Sequence, residues 1–384
     1  MKRKTGRAAM VWLCAAAAAG ILWAGILPGA ELKTDVPVYT MKEVRDKAII
    51  TAPDILKQKT AVDSAVTGKN AAASTMESAR ADAQYQYSES MTDNELNSLT
   101  DKTQNAIDAY NSAASGLDDE REKLENLEKQ VAYSVDKLYL DILSSQVSLK
   151  AQEISLESDE KNLETLELKV KLGLAPRTEA DAASQTVKNA RNQLETAKKS
   201  LADLKLSMNV YLGMKLGDPF ELADPPELRE VTFDPDVSSL QQKALEHSLS
   251  LRQADRNIEE ISKKADMVVG TSQENQRDSL ANQGRSAVLN REQAETNLRN
   301  SVTNAFTKLE QAEKSLELNM DKLDSAKKDC EKKQLQQKLG LISAGQLTQA
   351  ETAAAQAEDS CVQSRYSIYL AKRALELLAY GITV

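Results

Sequence analysis

Few residues in this chain could do catalytic or metal-binding chemistry, and they stand apart from one another. The 384 residues include one histidine, His247, and three cysteines. His247 lies beside Glu246 in an amphipathic helical stretch, without a second ligand or catalytic partner at a motif spacing. Acidic runs alternate with lysine at helical spacing, which is typical of solvated helix faces. No P-loop, dinucleotide fingerprint or serine elbow is present. The sequence therefore predicts no catalytic, cofactor-binding or metal-binding residues, and a protein that is not an enzyme.

Two cysteines beyond the N-terminal region, Cys330 and Cys361, lie on opposite sides of a predicted helical turn. Both fall on positions that are apolar elsewhere in the pattern, where a free cysteine acts as a small buried hydrophobic residue. A disulfide between them would need an oxidising compartment and strict geometry. The sequence leaves both interpretations open.

The helices that must hold these residues form two copies of one pattern. Residues 131–172 align with residues 298–339 without a gap, and we call this alignment, which pairs Val131 with Leu298, the arm register. Each copy then reaches the same tripeptide, Leu172-Gly173-Leu174 in the first and Leu339-Gly340-Leu341 in the second, and enters another helical pattern. A repeat of this length predicts one architecture built from two related halves.

Apolar residues recur at alternating steps of three and four along both copies, which is the signature of a coiled coil. One row of the first long arm has residues spaced by seven: Val135, Ile142, Leu149, Leu156, Leu163 and Val170. One row of its return helix is mostly alanine: Ala183, Ala190, Ala197, Leu204 and Tyr211. Small side chains let two helices approach closely. Each half is therefore predicted to be a long antiparallel helical hairpin that bends at Leu-Gly-Leu.

The predicted fold class is all-α, with two tandem repeats of long antiparallel coiled-coil helical hairpins and no clear β-barrel strands. The first repeat is expected over residues 40–213 and the second over residues 237–381, joined by a proline-rich linker over residues 214–236. An entry helix is expected over Thr40–Val66. Its counterpart follows the linker in a second alignment, the entry register, which pairs Met41 with Val237.

The N-terminus has the features of an export signal. Four basic residues among the first seven precede an uncharged run from Ala8 to Ala30. This run is also as long as the ~20 residues that a membrane-spanning helix needs. Residues 1–30 are predicted to be either a cleaved signal peptide or a retained membrane anchor. In both cases the rest of the chain is expected to be exported and associated with the membrane of the cell envelope.

Composition and charge limit the classes of function. Aromatic residues make up only 4 % of the chain, so narrow helix interfaces are expected rather than a thick core. The net charge is −9 and the pI is about 5.1. A chain without a basic stripe cannot displace the counterions of DNA or RNA, so nucleic acid is not an expected partner.

Each half contains an opening helix, a long arm, a glycine turn and an alanine-rich return helix. The residues that show this most clearly are Met41 to Ile55, Lys171-Leu172-Gly173-Leu174 with Ala183, Tyr211-Leu212-Gly213, Lys338-Leu339-Gly340-Leu341 with Ala350, and Ala379-Tyr380-Gly381. In this arrangement the chain resembles the TolC family of outer-membrane efflux ducts, over nearly all of residues 40–381.

The resemblance implies a homotrimer whose long arms form a tapering α-barrel. It also implies two partners, a periplasmic-type adaptor and an energised inner-membrane pump. The hairpin tips, Leu172-Gly173-Leu174 and Leu339-Gly340-Leu341, are implied to meet the adaptor.

The chain departs from the family pattern in two places. Family members carry strand pairs that build a membrane β-barrel, and a spanning strand needs ~9–11 alternating residues. The polar stretches 67–116 and 267–285, interpreted as junctions or helix interruptions, do not alternate in this way. The sequence therefore does not support insertion in an outer membrane. Gln346 and Gln349 stand where the family's closed tip has acidic residues.

The sequence thus predicts an exported TolC-like helical duct component of an efflux or secretion system. The alternative is a membrane-tethered coiled-coil protein that acts as a spacer or scaffold in the cell envelope. The matched repeats and turns favour the duct, and the missing strands favour the scaffold.

Overall fold

The computed structural model describes residues 36–383, except residues 88–90, 224–235 and 269–273. The predicted signal peptide or anchor at residues 1–30, and residues 224–235 of the predicted linker, lie outside this part of the chain. No helix among the described residues combines the length and the apolar character that crossing a membrane would require.

The described residues fold almost entirely into helices. In chain order the elements are β1 (Val38–Tyr39), α1 (Met41–Thr51), α2 (Pro53–Gln86), α3 (Asp93–Lys171), α4 (Arg177–Leu212), β2 (Glu221–Leu222), α5 (Val237–His247), α6 (Leu249–Met267), α7 (Glu274–Lys338) and α8 (Ala344–Ala379). The two short strands pair in parallel, Val38 with Glu221 and Tyr39 with Leu222. The prediction of an all-α fold of long helical hairpins is confirmed.

Helix α1 and helix α2 replace the single entry helix expected over Thr40–Val66. Helix α1 begins with a capping box between Thr40 and Glu43 and ends at Thr51, with Ala52 as its C-cap. Pro53 then occupies the first turn of α2, where its missing N–H group costs nothing. The residue before a proline is disfavoured in helical conformation, so the chain bends at Ala52.

The polar stretches 67–116 and 267–285, expected to be junctions or helix interruptions, are largely helical, and each contains one connection between helices, α2 to α3 and α6 to α7. Helix α2 continues to Gln86, and Thr92 starts α3 with a capping box to Glu95. Few large apolar residues are needed here, because alanines such as Ala79 and Ala106 supply the buried positions. The long arms therefore begin within these polar stretches, at Asp93 and at Glu274. At 1.5 Å per residue, α3 is about 120 Å long and α7 about 100 Å.

Each long arm pairs with two other helices along its length. Helix α3 packs against α2 and α4, and α7 packs against α6 and α8. Helix α8 also packs against α3, which joins the two halves side by side in the order α4, α3, α8, α7. Among the described residues no extended contact joins α4 to α7. The four helices therefore form an open layer, not the closed four-helix bundle that the same heptads would also permit.

The best-buried residues lie midway along the arms. The first hydrophobic cluster combines α1 with the middle of α3 and the end of α4, and includes Val44, Val135 and Met208. The second combines α5, α7 and the end of α8, and includes Val302 and Leu375. Towards the tips the predicted heptad rows are only half-buried, and the last position of the second arm, Gln337, is exposed.

The bounds of the helices agree with both sequence alignments, the entry register and the arm register. In the entry register the ends of α1, Met41 and Thr51, correspond to Val237 and His247, which are the ends of α5. In the arm register the bounds of α4, Arg177–Leu212, correspond to the bounds of α8, Ala344–Ala379. This agreement supports two equivalent halves, whose exact boundaries stay a prediction.

Gly381 is expected to be the glycine least tolerant of substitution. It follows α8 with φ +68°, and an added Cβ would lie 2.6 Å from Ser248 Cα. Gly217 also has a positive φ of +90° but no neighbour within 4 Å of such a Cβ. The variant Gly381→Ala is expected to lower the free energy of unfolding by about 3 kcal/mol, because it combines backbone strain with overlap against backbone atoms.

Gly217→Ala is the matched control, with an expected loss of about 1 kcal/mol from strain alone. Denaturant unfolding followed by circular dichroism measures both variants. Equal losses would show that the end of α8 does not pack against Ser248.

Candidate functional site: the hairpin tips

The two hairpin tips have the same backbone geometry. After α3 the N–H of Gly173 donates to the carbonyl of Val170 at 3.0 Å, and that of Leu174 donates to Lys169 at 2.8 Å. After α7 the N–H groups of Gly340 and Leu341 donate to Gln337 and Gln336, both at 2.9 Å. This pair of bonds is the Schellman motif, which ends a helix with a left-handed residue. Glycine suits that position because φ is +72° at Gly173 and +70° at Gly340.

The leucines beside these glycines point into solvent. Leu172 and Leu174 are 63 % and 73 % exposed, and Leu339 and Leu341 are 65 % and 69 % exposed. In a Schellman motif the apolar residue after the glycine commonly packs back on the helix, but here it does not. The structure thus places all six predicted tip residues at the hairpin apices, with their leucines uncovered.

Each tip carries a third exposed leucine that the sequence reasoning missed. Leu168 lies one turn before Leu172, and Leu335 lies one turn before Leu339, and both are exposed. The signal was present, because residues four apart lie on one helix face. These two leucines lie outside the heptad rows. We call Leu168, Leu172, Leu174, Leu335, Leu339 and Leu341 the tip leucines.

Polar groups near the second tip are used to start the return helix. Ser343 and Gln346 form a capping box at the beginning of α8. Gln346 accepts a hydrogen bond at 3.1 Å from the backbone N–H of Ser343, and Gln349 is exposed. Gln346 is therefore committed to the helix start, and the tip presents a neutral, apolar surface beside the basic side chain of Lys338.

The isolated residues considered first in the sequence do not form a reactive site. The ring of His247 is exposed, with Nδ1 2.9 Å from the carbonyl oxygen of Lys243. Cys330 is half-buried and Cys361 is buried, and both are free thiols. Burial raises the pKa of the Cys330 thiol, which lowers its reactivity. Within the described residues no group of three or more His, Cys, Asp or Glu could hold a metal ion.

A polar cluster inside the molecule joins the two halves. Asp136 on α3 is fully buried and accepts hydrogen bonds from Arg45 on α1. Tyr369 on α8 donates to Asp136 Oδ2 at 3.2 Å, and Arg373 Nε lies 3.5 Å from the same oxygen. We call Arg45, Asp136, Tyr369 and Arg373 the polar cluster. It fixes α8 of the second half against α1 and α3 of the first.

Burial and charge act in opposite directions on this cluster. Burial raises the pKa of Asp136, while the hydrogen bonds and positive charge of Arg45 lower it. Burial also raises the pKa of the Tyr369 hydroxyl, so this group keeps its proton as a hydrogen-bond donor at neutral pH. The two guanidinium groups supply the countercharge that a buried carboxylate needs. The arrangement is suited to fixing these helices against one another.

Comparison with known proteins gives a match in structure alone. No protein-family model matches the sequence, and no curated protein is recognisably similar in sequence. The outer-membrane channel OprN matches with a TM-score of 0.64 and 12 % identity, over 89 % of this chain and 90 % of that chain. The outer-membrane protein VceC from Vibrio cholerae matches with a TM-score of 0.56 and 11 % identity, over 89 % and 96 %.

The channel CusC also matches, with a TM-score of 0.54 and 13 % identity over 89 % of this chain and 96 % of that chain. These structures are outer-membrane channels of the TolC family. The chain therefore has the TolC fold, and the resemblance predicted from the sequence is confirmed at the level of the fold.

Proposed function

We propose that three copies of this chain form a helical duct in the cell envelope, which passes cargo for an efflux or secretion system. The observation that supports this most is the open layer of α4, α3, α8 and α7. A layer with two uncovered edges does not close on itself within one chain, because α4 and α7 lie at opposite sides. Further copies can cover those edges and enclose a passage. The TolC fold of the chain agrees with this arrangement.

In this proposal the tip leucines bind an adaptor that links the duct to an energised inner-membrane pump. Exposed apolar residues concentrated at an apex commonly mark a contact surface. The repeated Schellman geometry holds Leu172 and Leu174 in the same way as Leu339 and Leu341, so three copies would present six similar apices. The duct has no catalytic role, and it needs no cofactor and no nucleic acid. Residues 1–30 direct the chain to the envelope as a cleaved signal or a retained anchor.

The mass of the assembled protein distinguishes the duct from the scaffold. The full chain, purified in mild detergent, is expected to give a protein mass of three times 42.1 kDa by light scattering. A mass of one chain across micromolar concentrations would reject the duct and favour the membrane-tethered scaffold.

A further inference from the structure

The two halves of the chain meet through charged residues at the end far from the tips. Arg256 on α6 donates to both carboxylate oxygens of Asp119 on α3, at 2.5 and 2.6 Å, and to Ser115 Oγ at 3.3 Å. One turn away, Arg252 pairs with Glu122. Helix α6 of the second half is thus held against α3 of the first half by two ion pairs. We call this contact the internal junction.

The same positions in the other copy of the pattern carry different chemistry. Helix α2 is the counterpart of α6 in the entry register, and the counterpart of Arg252 is Leu56. Helix α7 is the counterpart of α3 in the arm register, and the counterpart of Glu122 is Leu289. Leu56 is 49 % exposed and Leu289 is 64 % exposed. An ion pair inside the chain thus corresponds to two uncovered leucines.

The polar cluster is a second contact between the halves and lies closer to the tips. It shows the same replacement of an arginine by a leucine. Arg373 on α8 pairs with the buried Asp136 on α3. In the arm register, the counterpart of Arg373 is Leu206 on α4, and that of Asp136 is Thr303 on α7. Both counterparts are exposed. At both levels an arginine that joins the halves corresponds to an exposed leucine on the uncovered edge.

Repetition of the contact between the two halves would bring a second copy of the chain against these leucines. A contact between two different surfaces of one chain closes a ring when the rotation from copy to copy adds up to a full turn. Suppose that neighbouring copies are related by the same rotation as the two halves of one chain. Helix α2 of a neighbouring copy then lies on α7 in the way that α6 lies on α3. Leu56 of that copy then takes the place of Arg252, and Leu289 takes the place of Glu122.

We propose that a second copy of this chain docks on α7 through a contact between its Leu56 and Leu289. This inference rests on the proposed duct and adds the surface and register by which neighbouring copies meet. Beside this pair, the counterparts of Arg256 and Asp119 are Thr60 and Ser286, both exposed. The four counterparts of the two ion pairs are therefore uncharged.

The difference in chemistry also sets the order of the halves around the ring. If α6 packed on α7 of another copy, Arg252 would face Leu289. If α2 of another copy took the place of α6 on α3, Glu122 would face Leu56 of that copy. Each wrong pairing leaves a charge covered by an apolar side chain, which is costly when its partner is absent. Charged junctions inside the chain and apolar junctions between copies thus favour the alternating arrangement over its alternatives.

The test places the internal ion pair at the junction between copies. The single variants Leu56→Arg and Leu289→Glu are each expected to raise the concentration for half-assembly by about tenfold or more, because an apolar contact is replaced by an unpaired charge. The double variant Leu56→Arg/Leu289→Glu is expected to recover most of that loss, since it recreates the pair seen between Arg252 and Glu122. Light scattering of the full chain in detergent, over a dilution series, measures all three.

Met320→Glu is the matched control, since Met320 lies on the same helix, is 50 % exposed, and has an exposed counterpart, Glu153, in the arm register. It is expected to leave assembly unchanged. Assembly of the native chain with no effect of either single variant would overturn the proposed contact and leave the duct standing. The same holds for a double variant that is weaker than both singles. A native chain that stays monomeric would overturn the contact and the duct together.

Discussion

Aspartate at Leu174 and Leu341 is expected to abolish the binding of an adaptor to the hairpin tips. Both leucines follow the turn glycine, are among the most exposed apolar side chains of the molecule and do not pack back on their own helices. A carboxylate at either position would have to lose its water in an apolar contact without a partner. Because central apolar anchors dominate binding energy, the double variant is expected to lower adaptor capture by about tenfold or more.

The measurement uses a photoreactive residue at Lys338, beside the second tip, in cells that contain the adaptor and the pump. Cross-linking of the adaptor is compared between the native tips and Leu174→Asp/Leu341→Asp. The matched control is Leu216→Asp/Met320→Asp, which changes two exposed apolar residues away from the tips. Neither substitution is expected to change helix content. Cross-linking that persists unchanged in the tip variant would show that the tip leucines do not bind the adaptor.

Asp136→Ala is expected to lower the free energy of unfolding by about 3 kcal/mol, because breaking a buried ion pair leaves its partners without a countercharge. Arg45, Tyr369 and Arg373 all direct polar atoms at this carboxylate. The expected cost is at the lower end for a buried pair, since the Arg45 side chain is 26 % exposed and can recover some hydration.

The second half supplies the control for this variant. Thr303 is the counterpart of Asp136, and its hydroxyl accepts a hydrogen bond at 3.1 Å from Gln241, the counterpart of Arg45. Thr303 is exposed, so Thr303→Ala is expected to cost less than about 1 kcal/mol. Denaturant unfolding of the three proteins gives the comparison. A loss for Asp136→Ala no larger than that for Thr303→Ala would contradict the role of the polar cluster in joining the halves.

The hairpins could be predicted from the sequence because residues close together in the chain determine them. Heptad spacing around Val135 and Ala190, and the glycines at 173 and 340, predicted the hairpins, because one helix face and one left-handed turn residue decide them locally. The tip residues followed from the same pattern.

Contacts between distant residues could not be predicted in this way. Asp136 looks like an ordinary solvated residue of α3, since Arg45 and Arg373 lie far away in the sequence. Its burial depends on α8 covering α3, which heptads on a single helix do not specify. The helical character of residues 67–86 was missed for a different reason, because small residues such as Ala79 supply burial without a strong apolar signal.

The proposed duct requires several copies of this chain to enclose a passage. Electron microscopy of the full chain in detergent shows in end views whether the helices surround an opening. We expect a ring of three copies in which α7 of each copy meets α4 and α2 of the next around a continuous central channel. Particles of a single chain, or assemblies in which the helices pack together without a channel, would contradict it.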